Sequence, residues 1–185
     1  MNIRTFILLL AGLLSLVACS EEDGEWDGSS VKRLFNDMKG SYAGKIINDG
    51  GPQSVTIRIG TDFTIENLPL KPILQHAVTD ASQLSEALKA TPTINYTAEI
   101  DSIDITSNVA LLKMLPTDMV FKTSYEGGEH TVAALMESSA YTTRSTSGLT
   151  VTATVKELFF DGRSIDVSTE RIVYFVDNAI KLSTN

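Results

Sequence analysis

The sequence predicts a mainly β, antiparallel domain, either a closed barrel or a β-sandwich, with one helical insertion at about residues 72–90 and a short N-terminal helix. Three observations carry this. Most segments beyond residue 40 alternate apolar and polar residues with a period of two, the pattern of a half-buried strand. Turn-forming clusters of Gly, Asp, Asn and Pro separate them at short, regular intervals, as in all-β domains. Against these stands one long stretch, 72–90, with a 3.6-residue apolar stripe.

The chain opens with an address. Arg4, an apolar run from Phe6 to Leu16, and small residues before a cleavage point have the layout of a secretory signal, and the run is well short of the ~20 residues that span a bilayer. Leu16-Val17-Ala18-Cys19 resembles the bacterial lipobox, which implies cleavage before Cys19 and acylation of its sulfur and amine. The chain has 1 cysteine, so the alternative of an internal disulfide is closed. Several acyl chains, at roughly 0.8 kcal/mol per buried CH₂, make a stable membrane anchor. Residues 1–18 are thus a cleaved signal peptide, 19–30 an acylated cysteine with a flexible tether, and 31–185 a single β domain.

The tether is rich in acids, glycine and serine and cannot bury enough apolar surface to order itself. Its mean reach is roughly 20 Å. The acidic run Ser20-Glu21-Glu22-Asp23 resembles the export signal of surface lipoproteins in the Bacteroidota; a plain solvated linker is the alternative. Trp26 is expected to pack on the domain or remain disordered. The expected location is the outer membrane, lipid-anchored, with the domain at the cell surface.

A net charge of −8 with scattered lysines and arginines argues against a nucleic-acid surface. It names no partner by itself.

The elements follow in order. Val31, Leu34, Phe35 and Met38 sit at helical spacing and lead into Gly40. Residues 41–48 and 54–60 form a hairpin about Asn48-Asp49-Gly50-Gly51, with Val55, Ile57 and Ile59 on one face. Phe63 and Ile65 begin a third strand, which Pro69 and Pro72 end. In 72–90 the stripe is Ile73, Ala77, Val78, Ala81, Leu84 and Leu88, and Asp80 with Gln83 forms a capping box that divides it into two helices. Ile94 to Ile100 and Ile103 to Ile105 take opposite parities, which a β-bulge near Asp101-Ser102 reconciles. Val109 to Leu115 is a strand, and Pro116-Thr117-Asp118 is read as a turn. Met119 to Tyr125 and Thr131 to Glu137 form a hairpin closed by Glu126-Gly127-Gly128-Glu129. Residues 138–149 read as a serine and threonine loop in which Tyr141 to Arg144 pairs as an edge strand. Leu149 to Lys156 alternates, Asp161-Gly162 turns towards Ile165 and Val167, and Ile172 to Leu182 completes the set with a turn at Asp177-Asn178.

Met38-Lys39-Gly40-Ser41-Tyr42-Ala43-Gly44-Lys45-Ile46 resembles the glycine, aromatic, glycine first strand of lipocalin-like domains in small lipoproteins. With the lipobox and the length, the chain resembles an uncharacterised lipocalin-like lipoprotein family, a domain of unknown function from Bacteroidota gut bacteria. The resemblance implies a lipocalin-like β-barrel over residues 38–185. A lipocalin carries its helix after the last barrel strand, whereas here it falls between early strands, so barrel closure and an internal cavity stay open.

Candidate chemistry is sparse. His76 and His130 have no second histidine at ligand spacing, and the motifs of zinc proteases, serine hydrolases and phosphate-binding loops do not occur. No catalytic residue, metal ligand or cofactor is assigned. Asp101 and Asp104 form an i, i+3 pair that in a regular strand points to opposite faces, unless the bulge brings them together. Tyr42, Tyr96, Phe121, Tyr125, Tyr141, Phe159, Phe160, Tyr174 and Phe175 are core in the simpler reading; exposed tyrosines at a sheet mouth can stack on sugars or apolar ligands. The expected function is a non-enzymatic binding or recognition module for a small apolar or glycan ligand or an envelope protein partner. The alternatives are a structural envelope component and a carboxylate-dependent hydrolase. What separates them is whether the Ile73–Leu88 stripe packs flush or roofs a cavity.

Overall fold

The computed structural model describes residues 28–48, 51–106, 109–143 and 148–183. The signal segment, Cys19 and Trp26 lie outside the described residues. Helix α1 (Gly28–Met38) begins inside the stretch read as tether, and Leu34, Phe35 and Met38 lean on the core as the helical spacing predicts.

Among the described residues the strands are β1 (Gly40–Asn48), β2 (Gly51–Ile59), β3 (Asp62–Glu66), β4 (Tyr96–Ile105), β5 (Val109–Met114), β6 (Thr117–Tyr125), β7 (Gly128–Thr143), β8 (Gly148–Phe160), β9 (Arg163–Ile165) and β10 (Val173–Lys181). All pair antiparallel, and β7 closes the ring by pairing with β5 on one edge and β8 on the other. The result is a closed 8-strand barrel rather than a sandwich.

Ten segments make eight staves because two pairs of them are collinear. β5 and β6 occupy successive stretches of one edge of β7, with Lys113 opposite Ser139 and Thr117 opposite Met136. Pro116 therefore bends a continuing stave instead of turning the chain: it lacks the N–H for a ladder bond, so pairing lapses there and resumes. Likewise β9 and β10 share one edge of β8, with residues 166–172 looping out between them. Asp177-Asn178, read as a turn, is a register shift inside the continuous β10, with Asn178 at φ 49°.

β4 follows the sequence reading, and β7 departs from it. The expected bulge is present, the register of β4 against β5 slipping between Ile100 and Ser102. Over residues 138–143 the expected serine and threonine loop is strand instead: β7 runs on through Thr143, so the pairing expected from Tyr141 is present but lies between β5 and β8 rather than at an edge, and Ser138 is buried with its hydroxyl 2.9 Å from that of Tyr96. A polar composition did not prevent a central strand, because neighbours on both edges satisfy its backbone and an inward phenol satisfies its side chain.

The tight hairpins have left-handed residues where two-residue turns need them. Glu126 and Gly127 stand at φ 50° and 74°, Asp161 and Gly162 at 50° and 75°.

The interior is one contiguous cluster. Ile46, Ile57, Phe63, Ile65, Leu112, Met136, Leu149 and Leu158 are all fully buried, each contributing roughly 1.5–3 kcal/mol. One end of the barrel carries α1, the end of β4, the start of β5, the end of β7 and the start of β8. The other carries the helical insertion and the β6–β7 and β8–β9 turns.

The insertion is α2 (Lys71–Ala77) and α3 (Ala81–Ala90). Pro72 does not merely end a strand; it sits in the first turn of α2, where its missing N–H costs nothing. The Asp80 carboxylate caps α3, accepting from the N–H groups of Ser82 at 2.8 Å and Gln83 at 3.0 Å. The capping box is half made, since the Gln83 amide donates to Glu126 on the β6–β7 turn. Ile73, Leu74, Val78 and Ala87 are buried, while Ala81, placed in the stripe by spacing, is exposed. Two bonds pull the insertion inward: Tyr174 Oη donates to Pro69 O, and the buried Thr123 hydroxyl to Ala87 O, both at 2.9 Å. The stripe packs flush and plugs its end of the barrel instead of roofing a cavity, the outcome that favours a structural or protein-docking role at this end and leaves a binding site only to the opposite mouth.

Candidate functional site

A pocket lies at the opposite mouth, beside α1. Leu34 and Met38 enter it from α1, Tyr42 from β1, Val109 and Ala110 from β5, and Lys181 from the end of β10. Its volume is about 230 Å³. Asp37, Thr106, Thr142 and Thr143 also line it. An apolar void of about 150 Å³ suffices to hold benzene, so this one admits a small ring or a short acyl chain but not a bulky lipid.

The walls are fixed from behind. Tyr42 Oη donates to Met38 O at 2.7 Å, locking the end of α1 to the first strand, and burial pushes the phenol's pKa up so that it stays a neutral donor. Lys181 Nζ donates to the carbonyl oxygen of Asp37 at 2.6 Å and sits 5.8 Å from the Tyr42 ring centre. Its ammonium therefore stands at the rim of an apolar well.

A second cluster marks the plugged end. Tyr125, His130 and Phe160 continue the inward rows of β6, β7 and β8 past the core, with ring centres 4.3 Å apart for Tyr125 and His130 and 5.2 Å for His130 and Phe160. Asp161 clamps the arrangement: its Oδ2 shares a 2.8 Å hydrogen bond with His130 Nδ1, and its Oδ1 accepts the Thr131 N–H at 2.9 Å. Those two bonds, His130 first, hold the Asp161 carboxyl below its usual pKa. Burial, then the nearby Asp161 and Glu126 charges, raise that of Tyr125. The imidazole thus has its faces on two rings and one nitrogen on a carboxylate, which ties two hairpin tips together.

The residues singled out in sequence fall in different places. Asp101 and Asp104 are brought to one side by the bulge, and there they meet Lys113, whose ammonium lies 2.5 Å from Asp104 Oδ2. Both acids are exposed, and both raise the pKa of Lys113, Asp104 most. His76 ends α2, half-buried. Among the described residues no three His, Cys, Asp or Glu side chains gather to hold a metal ion, and no helix is long and apolar enough to cross a membrane. Of the aromatics, Tyr42, Tyr96, Phe121 and Tyr174 are core, Tyr125, Phe159 and Phe160 half-buried, and Tyr141 and Phe175 exposed. Lys181 had no signal in the sequence; its role appears only once β10 is laid beside β1.

No curated protein and no solved structure matches the chain. A family model described as a domain of unknown function, DUF4840, matches residues 37–160, from the end of α1 to the end of β8. The matched stretch holds most of the barrel, the helical insertion and every lining residue of the α1 pocket except Leu34 and Lys181. By that match over more than half its length, the chain belongs to the DUF4840 family.

Proposed function

We propose that this chain is a lipocalin-like lipoprotein of the Bacteroidota, acylated at Cys19, anchored in the outer membrane and displayed at the cell surface, and that its barrel is a non-enzymatic binding module for a small apolar molecule. The observation that carries the binding reading is the apolar well of Leu34, Met38, Tyr42, Val109 and Ala110 beneath the Lys181 ammonium. Concave apolar walls with a few placed polar groups are the usual build of a small-molecule site. Its position agrees with anchorage. α1 follows the tether directly in sequence, so the pocket lies at the end of the barrel that an anchor on Cys19 would hold, and apolar molecules concentrate at a membrane.

The test uses hexanol and hexanoate as probes on the full chain carrying Cys19→Ser. Hexanol should bind saturably, and hexanoate more tightly because Lys181 faces its carboxylate. Ala110→Leu fills the well and should abolish both; Lys181→Gln should remove the preference for the acid and spare the alcohol. Binding that ignores Ala110→Leu in a variant of unchanged circular dichroism would sink the assignment.

A further inference from the structure

The β1–β10 pairing slips register between Ala43 and Ile46, and beside it β10 slips against β8 between Val176 and Ala179. A groove of about 530 Å³ lies over it on the barrel wall, and we infer that it is a saccharide-binding site taking a neutral pyranose or short glycan. This site is separate from the α1 pocket and shares no lining residue with it.

The chemistry of the lining selects the class. Lys45, Asp177, Asn67, Asn178, Ser54 and Thr56 offer donors and acceptors in one concavity, with one cation and one anion. An apolar ligand would leave these groups desolvated and unpaired, at a cost that opposes binding. A ligand of single charge meets one like charge. Sugar hydroxyls both donate and accept, and so match the whole set. Sugars also present apolar C–H faces, and the groove has apolar shoulders to receive them. Ile180 is 67% exposed within it; Phe175 and Ile47, two residues along the same outward rows from Asp177 and Lys45, are 45% and 73% exposed.

The polar groups are held in place by residues outside the lining. The Thr150 hydroxyl donates to Asp177 Oδ1 at 3.3 Å and accepts the Asn178 N–H at 3.5 Å. Asn178 stands at φ 49° with its amide oxygen lodged where a Cβ of Gly148 would be, so residue 148 must be glycine for the side chain to sit there. Asn67, at φ 58°, has its N–H bound by the Asn95 side chain at 3.1 Å. Beneath the groove, on the core side, β1 and β10 pack so closely that a Cβ on Gly44 would collide with Val176 and Ala179. Preorganised hydrogen-bonding groups lose less entropy when the ligand arrives.

The full chain carrying Cys19→Ser, labelled with ¹⁵N, is titrated with glucose, galactose, N-acetylglucosamine and their β-linked disaccharides, with glucuronate and a mixed-charge peptide as the other arms. At least one neutral saccharide should give saturable shifts confined to the amides of residues 43–45, 54–56, 67 and 177–180. Asn178→Gly keeps the left-handed backbone and should weaken that binding about tenfold, the scale of one lost hydrogen bond. Lys45→Gln, at an exposed position, is the second variant and should weaken it also. Saturating hexanol should leave the saccharide shifts unchanged, which separates this site from the α1 pocket. Absence of saturable shifts with every neutral saccharide, preference for glucuronate or the peptide, or indifference to both variants would overturn the assignment.

Discussion

Tyr174 Oη donates a 2.9 Å hydrogen bond to the carbonyl oxygen of Pro69, so the last strand of the barrel holds the entry to the helical insertion from inside. Burial drives the Tyr174 phenol above its ordinary pKa, so it is a neutral donor at physiological pH. The plug at that end depends on a contact spanning most of the domain.

Tyr174→Phe removes the donor and leaves the Pro69 carbonyl buried and unpaired. The expected loss is about 1–3 kcal/mol of unfolding free energy. Urea denaturation followed by circular dichroism measures it, and a change below a few tenths of that would show the carbonyl finds another partner.

Asp80 gives the insertion a pH dependence. Its carboxyl is held below the usual range, chiefly by the Ser82 hydroxyl and then by the N–H groups of Gln83 and Ser82. A depressed folded-state pKa means that the contribution is fully present above the unfolded value near ~3.9 and is lost as pH falls through the lower folded value. Asp80→Ala should reduce helical signal and stability at neutral pH, while flattening the acid limb of the wild-type stability curve below pH ~4. An acid limb unaltered by the substitution would assign it to other carboxylates.

Gly44→Ala should cost about 1–3 kcal/mol, the scale of overpacking, because its Cβ meets Val176 and Ala179 across the seam. Hydrogen exchange should quicken in β1 and β10 and stay unchanged in β4 and β5. Equal acceleration everywhere would mean that the seam is no weaker than the rest of the wall.

Much of this architecture was legible from residue patterns, and the misses share a cause. Alternation located the strands because inward rows such as Val55, Ile57 and Ile59 are buried in one core. Asp80 showed the helix break because capping is local chemistry. Pro116 and Asp177-Asn178 were misread because a turn residue and a bulge residue look alike until the partner strand is placed, and here the partner runs straight past. Ser138 and its neighbours resembled a loop because the phenol that satisfies Ser138 comes from Tyr96, and the backbone partners from β5 and β8, all distant in sequence. The α1 pocket was not legible at all, being assembled from five elements scattered from Leu34 to Lys181.

Lipid anchorage is tested apart from the barrel. Cys19→Ser should leave unprocessed precursor and abolish incorporation of a fatty-acid analogue, since Cys19 alone can form the thioether. Protease added to intact cells should remove the domain, and alanine at Glu21, Glu22 and Asp23 should protect it. Mature, membrane-bound protein from the Cys19→Ser gene would refute the lipobox reading.

The central claim is that the mouth beside α1 binds a small apolar molecule, and its most direct test is a contact measured between the two. In the Cys19→Ser chain with labelled methionine and leucine methyl groups, nuclear Overhauser cross-peaks from bound hexanol should reach the methyls of Met38 and Leu34. They should not reach Met136, which is sealed in the core. Saturable binding whose cross-peaks bypass Met38 and Leu34, or no binding at all, would contradict the account.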